Sequence, residues 1–401
     1  MATSIEIVVG TYEEFLLGYR IRPSRSNNRK YDMYQSFSTH SHTSSIRCLA
    51  SNGKYVASGG CDDRICVYDL EARKEVEDLY IHDGTVNSIQ FVPDCSYLIS
   101  CGADGKMVFT KTSNWKIDRV FEKAHKGSPV NYVSVHSSGK LALSIGNDKI
   151  LRTWNLINGR QAFATSLKNN KALGNSIEFV IWSISGEYFL VAGKDTVEVW
   201  STEKAEVIST KKCESEPTSI CWITDTDILV GMENGKLLFF NWEDENEEAT
   251  MCEIYDNRVK AMKYHDGYLT TASSKGELNL WKVIIDEKVE IEMICGIDIG
   301  CRLTCLDVID LSKIGIIKEV KEEDGDEDMP LKKTDVKTFK TKGTVVVEID
   351  NDDDDYDILI TSKASKKRQH EGSSTKKKPK TPINNKRKSL RLSNGFVEED
   401  C

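Results

Sequence analysis

A strand, a tight acidic or glycine-bearing turn and a second strand recur six times along the chain. The copies read "VASGGCDDRICVYDL", "LISCGADGKMVFTKT", "LALSIGNDKILRTWNL", "FLVAGKDTVEVWST", "ILVGMENGKLLFFNW" and "LTTASSKGELNLWKV". The residues near the close of these units are Tyr68, Thr110, Trp154, Trp200, Phe240 and Trp281, at spacings of 42, 44, 46, 40 and 41 residues. A period of this length belongs to one four-stranded blade of a propeller. Each unit is preceded by a short apolar run: "SIRCLA", "VNSIQFV", "VNYVSVH", "IEFVIWS", "TSICWIT" and "RVKAMKY". Runs this short, rich in β-branched residues and bounded by Gly, Asp, Asn or Ser, read as strands rather than helices.

A seventh unit is divided between two distant stretches. "RLTCLDVID", residues 302–310, is a first strand with no continuation. Residues 5–21, "IEIVVGTYEEFLLGYRI", are a second and third strand with no first, and "YQSFST", 34–39, supplies the outer fourth. Joined, they close a ring, which removes the long unpaired edges that an open sheet would expose. The expected fold is all-β: a seven-bladed β-propeller over residues 1–311, closed by one split blade. Aromatic residues thin out after Leu311, and residues 312–401 are expected to be a disordered tail, acidic and then basic.

One stretch, "AHKGSPVNYVSVHSSGKLALSIGNDKILRTWNL" at 124–156, sets His125, Ser144, Asp148 and Trp154 in an order open to two readings. His82, Ser100 and Asp104 repeat the order with Thr110 in the aromatic place, and His42, Ser58 and Asp62 repeat it with Tyr68 there. A hydrolytic triad needs an exposed hydroxyl and oxyanion donors, and no GxSxG elbow is present. Repetition in three blades favours architecture over catalysis. The pattern resembles that of the WD-repeat family, which implies that the four residues of a blade form a buried hydrogen-bond chain. In such a chain a carboxylate accepts from imidazole while a hydroxyl and an indole N–H complete the donors.

Other chemistries find little footing. There is no P-loop, HExxH or EF-hand pattern, and turn glycines such as Gly102, Gly105 and Gly235 fall between strands. The 12 cysteines form no CxxC pair, so neither a zinc module nor a disulfide framework is indicated, and reduced thiols in cytosol or nucleus are expected. The opening "MATSIEIVVG" has no basic leader, and nowhere do 18 apolar residues run together. The expectation is an intracellular, non-enzymatic protein with no membrane segment, catalytic residue, cofactor or metal.

Charge narrows the partners. Residues 1–311 hold 34 basic and 44 acidic residues, so the body carries a formal −10 and is unsuited to gripping nucleic acid over its whole surface. The exception is "RIRPSRSNNRK", where Arg20, Arg22, Arg25, Arg29 and Lys30 form an acid-free insertion that is expected to link the third and fourth strands of the split blade. It is either an RNA contact or a solvated loop. Residues 319–357 carry 15 acids against 6 bases, and residues 363–391 carry 12 bases against Glu371 alone. The clusters Lys366, Lys367 and Arg368, then Lys376, Lys377, Lys378 and Lys380, then Lys386, Arg387 and Lys388 point to nuclear or nucleolar import. No aromatic lies between 363 and 391, so any RNA contact there is weak, phosphate-driven and salt-sensitive. Residues 343–360, with "TVVVEIDNDDDDYDILI", resemble a motif that adds a strand to a ubiquitin-like modifier.

The wording of particular segments is more specific. "AHKGSPV", "HSSGKLALSIGNDKILRTWNLINGRQAF", "RLTCLDV" and "VGTYEEFLLGYRI" resemble the PAK-interacting protein family of nucleolar WD-repeat proteins. The likeness spans most of residues 5–311 and is strongest in the third repeat; the acidic insert after 318 departs from it. The resemblance implies a non-catalytic factor in nucleolar assembly of the large (60S) ribosomal subunit, and a binder that restrains p21-activated kinase. It also implies a monomer set among pre-ribosomal assembly proteins. The alternative is a signalling adaptor, cytoplasmic or nuclear, that inhibits a protein kinase without a ribosomal role.

Overall fold

The computed structural model describes residues 4–24, 30–244, 249–285 and 289–314. Arg25, Arg29, the basic clusters from Lys366 to Lys388 and the segment 343–360 lie outside the described residues.

Among the described residues the strands form seven antiparallel sheets of four, with no α-helix and a short 3-10 turn at Leu311–Ile314. The blade that begins at residue 130 shows how sequence makes the unit. Its inner strand is Val130–Val135, followed outward by Leu141–Gly146, Ile150–Asn155 and Arg160–Ser166. The second strand, "LALSIG", is buried at every position after Leu141, whereas "RQAFATS" at the outer edge is exposed along nearly its whole length. A blade's middle strands are covered on both faces by the neighbouring blades, so they read as continuous apolar runs rather than alternating ones. The turns demand special backbone: Gly235 has φ +85°, and a Cβ there would stand 2.0 Å from the Tyr255 carbonyl oxygen.

The split blade is assembled as expected, in the order Leu303–Asp310, Ile5–Thr11, Leu16–Pro23, Tyr31–Thr39. Ile5 lies opposite Asp310 and Val8 opposite Asp307. The fourth strand starts at Tyr31, earlier than the sequence suggested, and the insertion narrows at its base, where the Ser24 N–H donates to the Lys30 carbonyl at 3.1 Å.

This blade is fastened to the next by a buried carboxylate. Glu6 is fully buried, with Arg20 directly opposite on the adjacent strand and its Nη2 3.1 Å from Glu6 Oε2. Arg73, from the turn after the strand Ile65–Asp69 of the next blade, grips the same carboxylate with two N–H groups at 2.6 and 2.8 Å. The Ser36 hydroxyl adds a third donor at 2.5 Å. Beside this clamp, Phe37 stacks on Tyr68 with centroids 4.5 Å apart. The Arg20 guanidinium, which the sequence offered as a possible RNA contact, is held by Glu6: the acid missing from its own segment arrives from the paired strand.

Candidate functional site

The histidine, serine and aspartate of the three repeats that carry them come together between the turn that enters a blade and its second strand. In the third repeat the Trp154 indole N–H donates to Ser144 Oγ at 2.8 Å, Ser144 Oγ lies 2.7 Å from His125 Nε2, and His125 Nδ1 lies 2.8 Å from Asp148 Oδ1. The Ser144 hydroxyl thus accepts from the indole on one side and shares a hydrogen bond with Nε2 on the other, while Nδ1 faces the carboxylate. His82 meets Ser100 at 2.8 Å and Asp104 at 2.9 Å. His42 meets Ser58 at 2.8 Å and Asp62 at 3.0 Å. At the aromatic position Thr110 is fully buried and its hydroxyl has no hydrogen-bond partner among the described residues.

Electrostatics fix these groups in structural roles. Burial pushes the carboxyls of Asp62, Asp104 and Asp148 up, but the histidines and the backbone or arginine donors beside them outweigh it, and all three sit below the ordinary carboxylate range. Burial pulls His125 below the usual imidazole value, helped by Arg152, whose Nη1 is 2.5 Å from Nδ1 and 2.8 Å from Asp148 Oδ2. Ser144 and His125 are both fully buried, so no substrate carbonyl can reach the hydroxyl. Burial pushes the thiols of Cys213 and Cys305 up to about 11, which makes them poor nucleophiles.

Two further chains use residues that the sequence pattern did not flag. In the blade whose inner strand is Val259–His265, the Tyr255 hydroxyl takes the histidine's place at 2.7 Å from Thr271 Oγ1, which accepts from the Trp281 indole at 2.9 Å. In the blade that begins with Ile177–Trp182, the serine position is Val191, and the Trp200 indole instead donates to Glu198 Oε2 at 3.1 Å. Asn170 donates to the other oxygen of that carboxylate at 2.6 Å. An acid two residues before the recurring strand-end aromatic position was the available signal.

At the end of the axis where the inner strands begin, all seven blades contribute to a chamber of about 420 Å³. Its ring is formed by the second residue of each inner strand: Arg47, Asn87, Asn131, Glu178, Thr218, Lys260 and Thr304. Each is the extra residue of a β-bulge, which turns its side chain out of the ladder. Three ring residues stitch one blade to the next. Asn87 donates to the Val130 carbonyl at 2.8 Å, Asn131 to that of Ile177 at 3.1 Å, and Thr218 to that of Val259.

Of the insertion, Arg22 lies over the Tyr34 ring at 5.0 Å and Lys30 is exposed. Among the described residues no group of His, Cys, Asp and Glu could hold a metal ion, and no helix is long and apolar enough to cross a membrane.

The fold, the ring closure and the repeated hydrogen-bond chains define a WD-repeat β-propeller. A profile described as WD domain, G-beta repeat, matches residues 33–69, 73–109 and 115–155, each match running from the outer strand of one blade through the first three strands of the next. A p21-activated protein kinase-interacting protein 1-like of Xenopus laevis is 35% identical over 314 residues, covering 76% of this chain and 82% of its own. Protein MAK11 of Saccharomyces cerevisiae is 26% identical over 353 residues, covering 76% and 83%. Shk1 kinase-binding protein 15 of Schizosaccharomyces pombe is 24% identical over 309 residues, covering 75% and 83%. The chain belongs to the family of p21-activated-kinase-interacting WD-repeat proteins.

Proposed function

We propose that this chain is a non-catalytic scaffold in nucleolar assembly of the large ribosomal subunit. The observation that carries the reading is family membership over three quarters of the chain. A ring whose repeated histidines, serines and aspartates are consumed in internal hydrogen bonds supports it, because that leaves surface rather than chemistry for function. The basic clusters at Lys366–Arg368, Lys376–Lys380 and Lys386–Lys388 favour nuclear and nucleolar import, and with Arg22, Arg25, Arg29 and Lys30 offer weak, salt-sensitive RNA contact. The test is sedimentation of the tagged full chain on a gradient. It is expected to travel with large-subunit precursors, and with substitution of Lys376, Lys377, Lys378 and Lys380 by Gln it is expected to leave the nucleolus. A chain confined to light fractions overturns the reading.

The names of the Xenopus and fission-yeast relatives favour a second role, in which the chain binds and restrains a p21-activated kinase. Purified chain titrated onto the kinase regulatory region is expected to bind and lower phosphorylation of a peptide substrate. Absence of binding removes this role and leaves the first untouched.

A further inference from the structure

The axial chamber carries a charge pattern opposite to that of the body around it. The propeller has a formal −10, and four cations of its turns are engaged: Arg64 by Asp62 at 3.1 Å, Lys106 by Asp83 at 2.6 Å, Lys236 by Glu214 at 3.0 Å, and Arg258 by Glu233. Arg47 and Lys260 stand instead in the axial ring. Among the described residues neither takes part in an ion pair within 4.0 Å. They flank Thr304 in the ring, and the Thr304 hydroxyl already donates to the Gly10 carbonyl at 2.9 Å. Burial, then the nearby charges of Arg47 and Arg258, press the Lys260 ammonium below its ordinary value. Lys260 is half-buried without a counter-charge, which is costly, and Arg47 beside it is exposed, so a ligand that brings a carboxylate would complete the first while reaching the second. On the opposite arc Glu178 accepts from the Ser176 hydroxyl at 3.3 Å, too far round the ring to pair with either cation within 4.0 Å.

We propose that this chamber binds a peptide segment of a protein partner, which inserts an Asp or Glu carboxylate between Arg47 and Lys260. Leu49, Tyr132, Phe179 and Leu306 line the chamber and accommodate the aliphatic part of the inserted residue. Glu178 is placed to accept from the peptide's own N–H groups. Charge decides between peptide and nucleic acid. A strand of RNA brings a phosphate with every nucleotide and would set most of them against the acidic body, whereas a peptide delivers one charge to one place. The inference deepens the scaffold reading and rests on it, since it names a surface and a chemistry for a protein partner.

The test passes an oriented octapeptide library, with one fixed central residue and degenerate flanks, over the immobilised full chain. Pools with central Glu or Asp are expected to be retained about tenfold over those with central Gln or Asn, the ratio of one charge-assisted hydrogen-bonded contact. Arg47→Gln with Lys260→Gln is expected to erase the discrimination, and Lys236→Gln to leave it. Arg47→Gln alone, at an exposed side chain, is expected to reduce it and guards against misfolding of the double variant. Equal retention of acidic and neutral pools, or discrimination that survives the double variant, overturns the proposal. So does a short oligouridine that displaces the retained pools and loses its hold in the same variant, because that places phosphate in the chamber. Failure of the chain to sediment with precursors while acidic pools are still retained would remove the ribosomal assignment and leave the chamber standing.

Discussion

The blade running from Val130 to Ser166 and the blade running from Pro217 to Glu253 have the same four strands and the same bulge, yet they are held by different forces. In the first, Ser144 and Trp154 carry a polar chain to His125 and Asp148. In the second, the matching positions are Val230 and Phe240, both buried in an apolar cluster with Ile220, Trp222 and Ile228. The propeller frame therefore tolerates either solution. Dry packing supplies burial, worth roughly 25 cal/mol per Å² of apolar surface. The polar chain adds a fixed register, since its donors and acceptors are satisfied in one arrangement of turn and strand only.

Breaking the dry blade should do the greater damage. Phe240→Ala is expected to cost about 3 to 5 kcal/mol in urea unfolding, from lost burial and a cavity. His125→Ala is expected to cost about 1 to 3 kcal/mol by leaving Ser144 and Asp148 short of a partner. If the two losses are reversed in order, the comparison fails.

Acid distinguishes the two blades further. His125 is held below its ordinary value of 6.5, so the unfolded chain takes up the proton first and stability falls as pH drops below 6.5. Asp148 is depressed in the fold, so its contribution persists above the ordinary carboxylate value of 3.8 and is lost only as pH falls through its lower folded value. Between pH 7.5 and 5.5 the wild-type melting temperature is expected to fall, Phe240→Leu to fall in parallel, and His125→Asn to fall less. Equal slopes for all three would detach the imidazole from stability. The smallest effect belongs to Thr110, a hydroxyl in an aromatic's place without a partner. Thr110→Val is expected to raise stability by about 0.5 to 1 kcal/mol, measured by the same unfolding series.

Much of this was legible because it repeats. The period, the inner strands and the split blade follow from apolar runs and turns that recur every forty-odd residues, and three histidine chains announced themselves by order alone. What escaped depends on pairs that no local window contains. Glu6 meets Arg73 across a blade boundary, Arg20 meets Glu6 across a ladder, and Glu198 stands in for a serine from the neighbouring strand. The ring around the axis was hidden for a further reason: its seven positions hold five residue types, so periodicity carries no signal there.

The placement of the ring's seam governs the order in which the protein can be completed. The strands from Ile5 to Thr39 emerge early from the ribosome, but the strand that pairs with them, Leu303–Asp310, follows more than 260 residues later. At about 5 to 20 residues per second that is an interval of some tens of seconds. Through that interval the hydrogen-bonding edge of Ile5–Thr11 stands open, a docking line for any chaperone able to lend a temporary strand until the chain supplies its own.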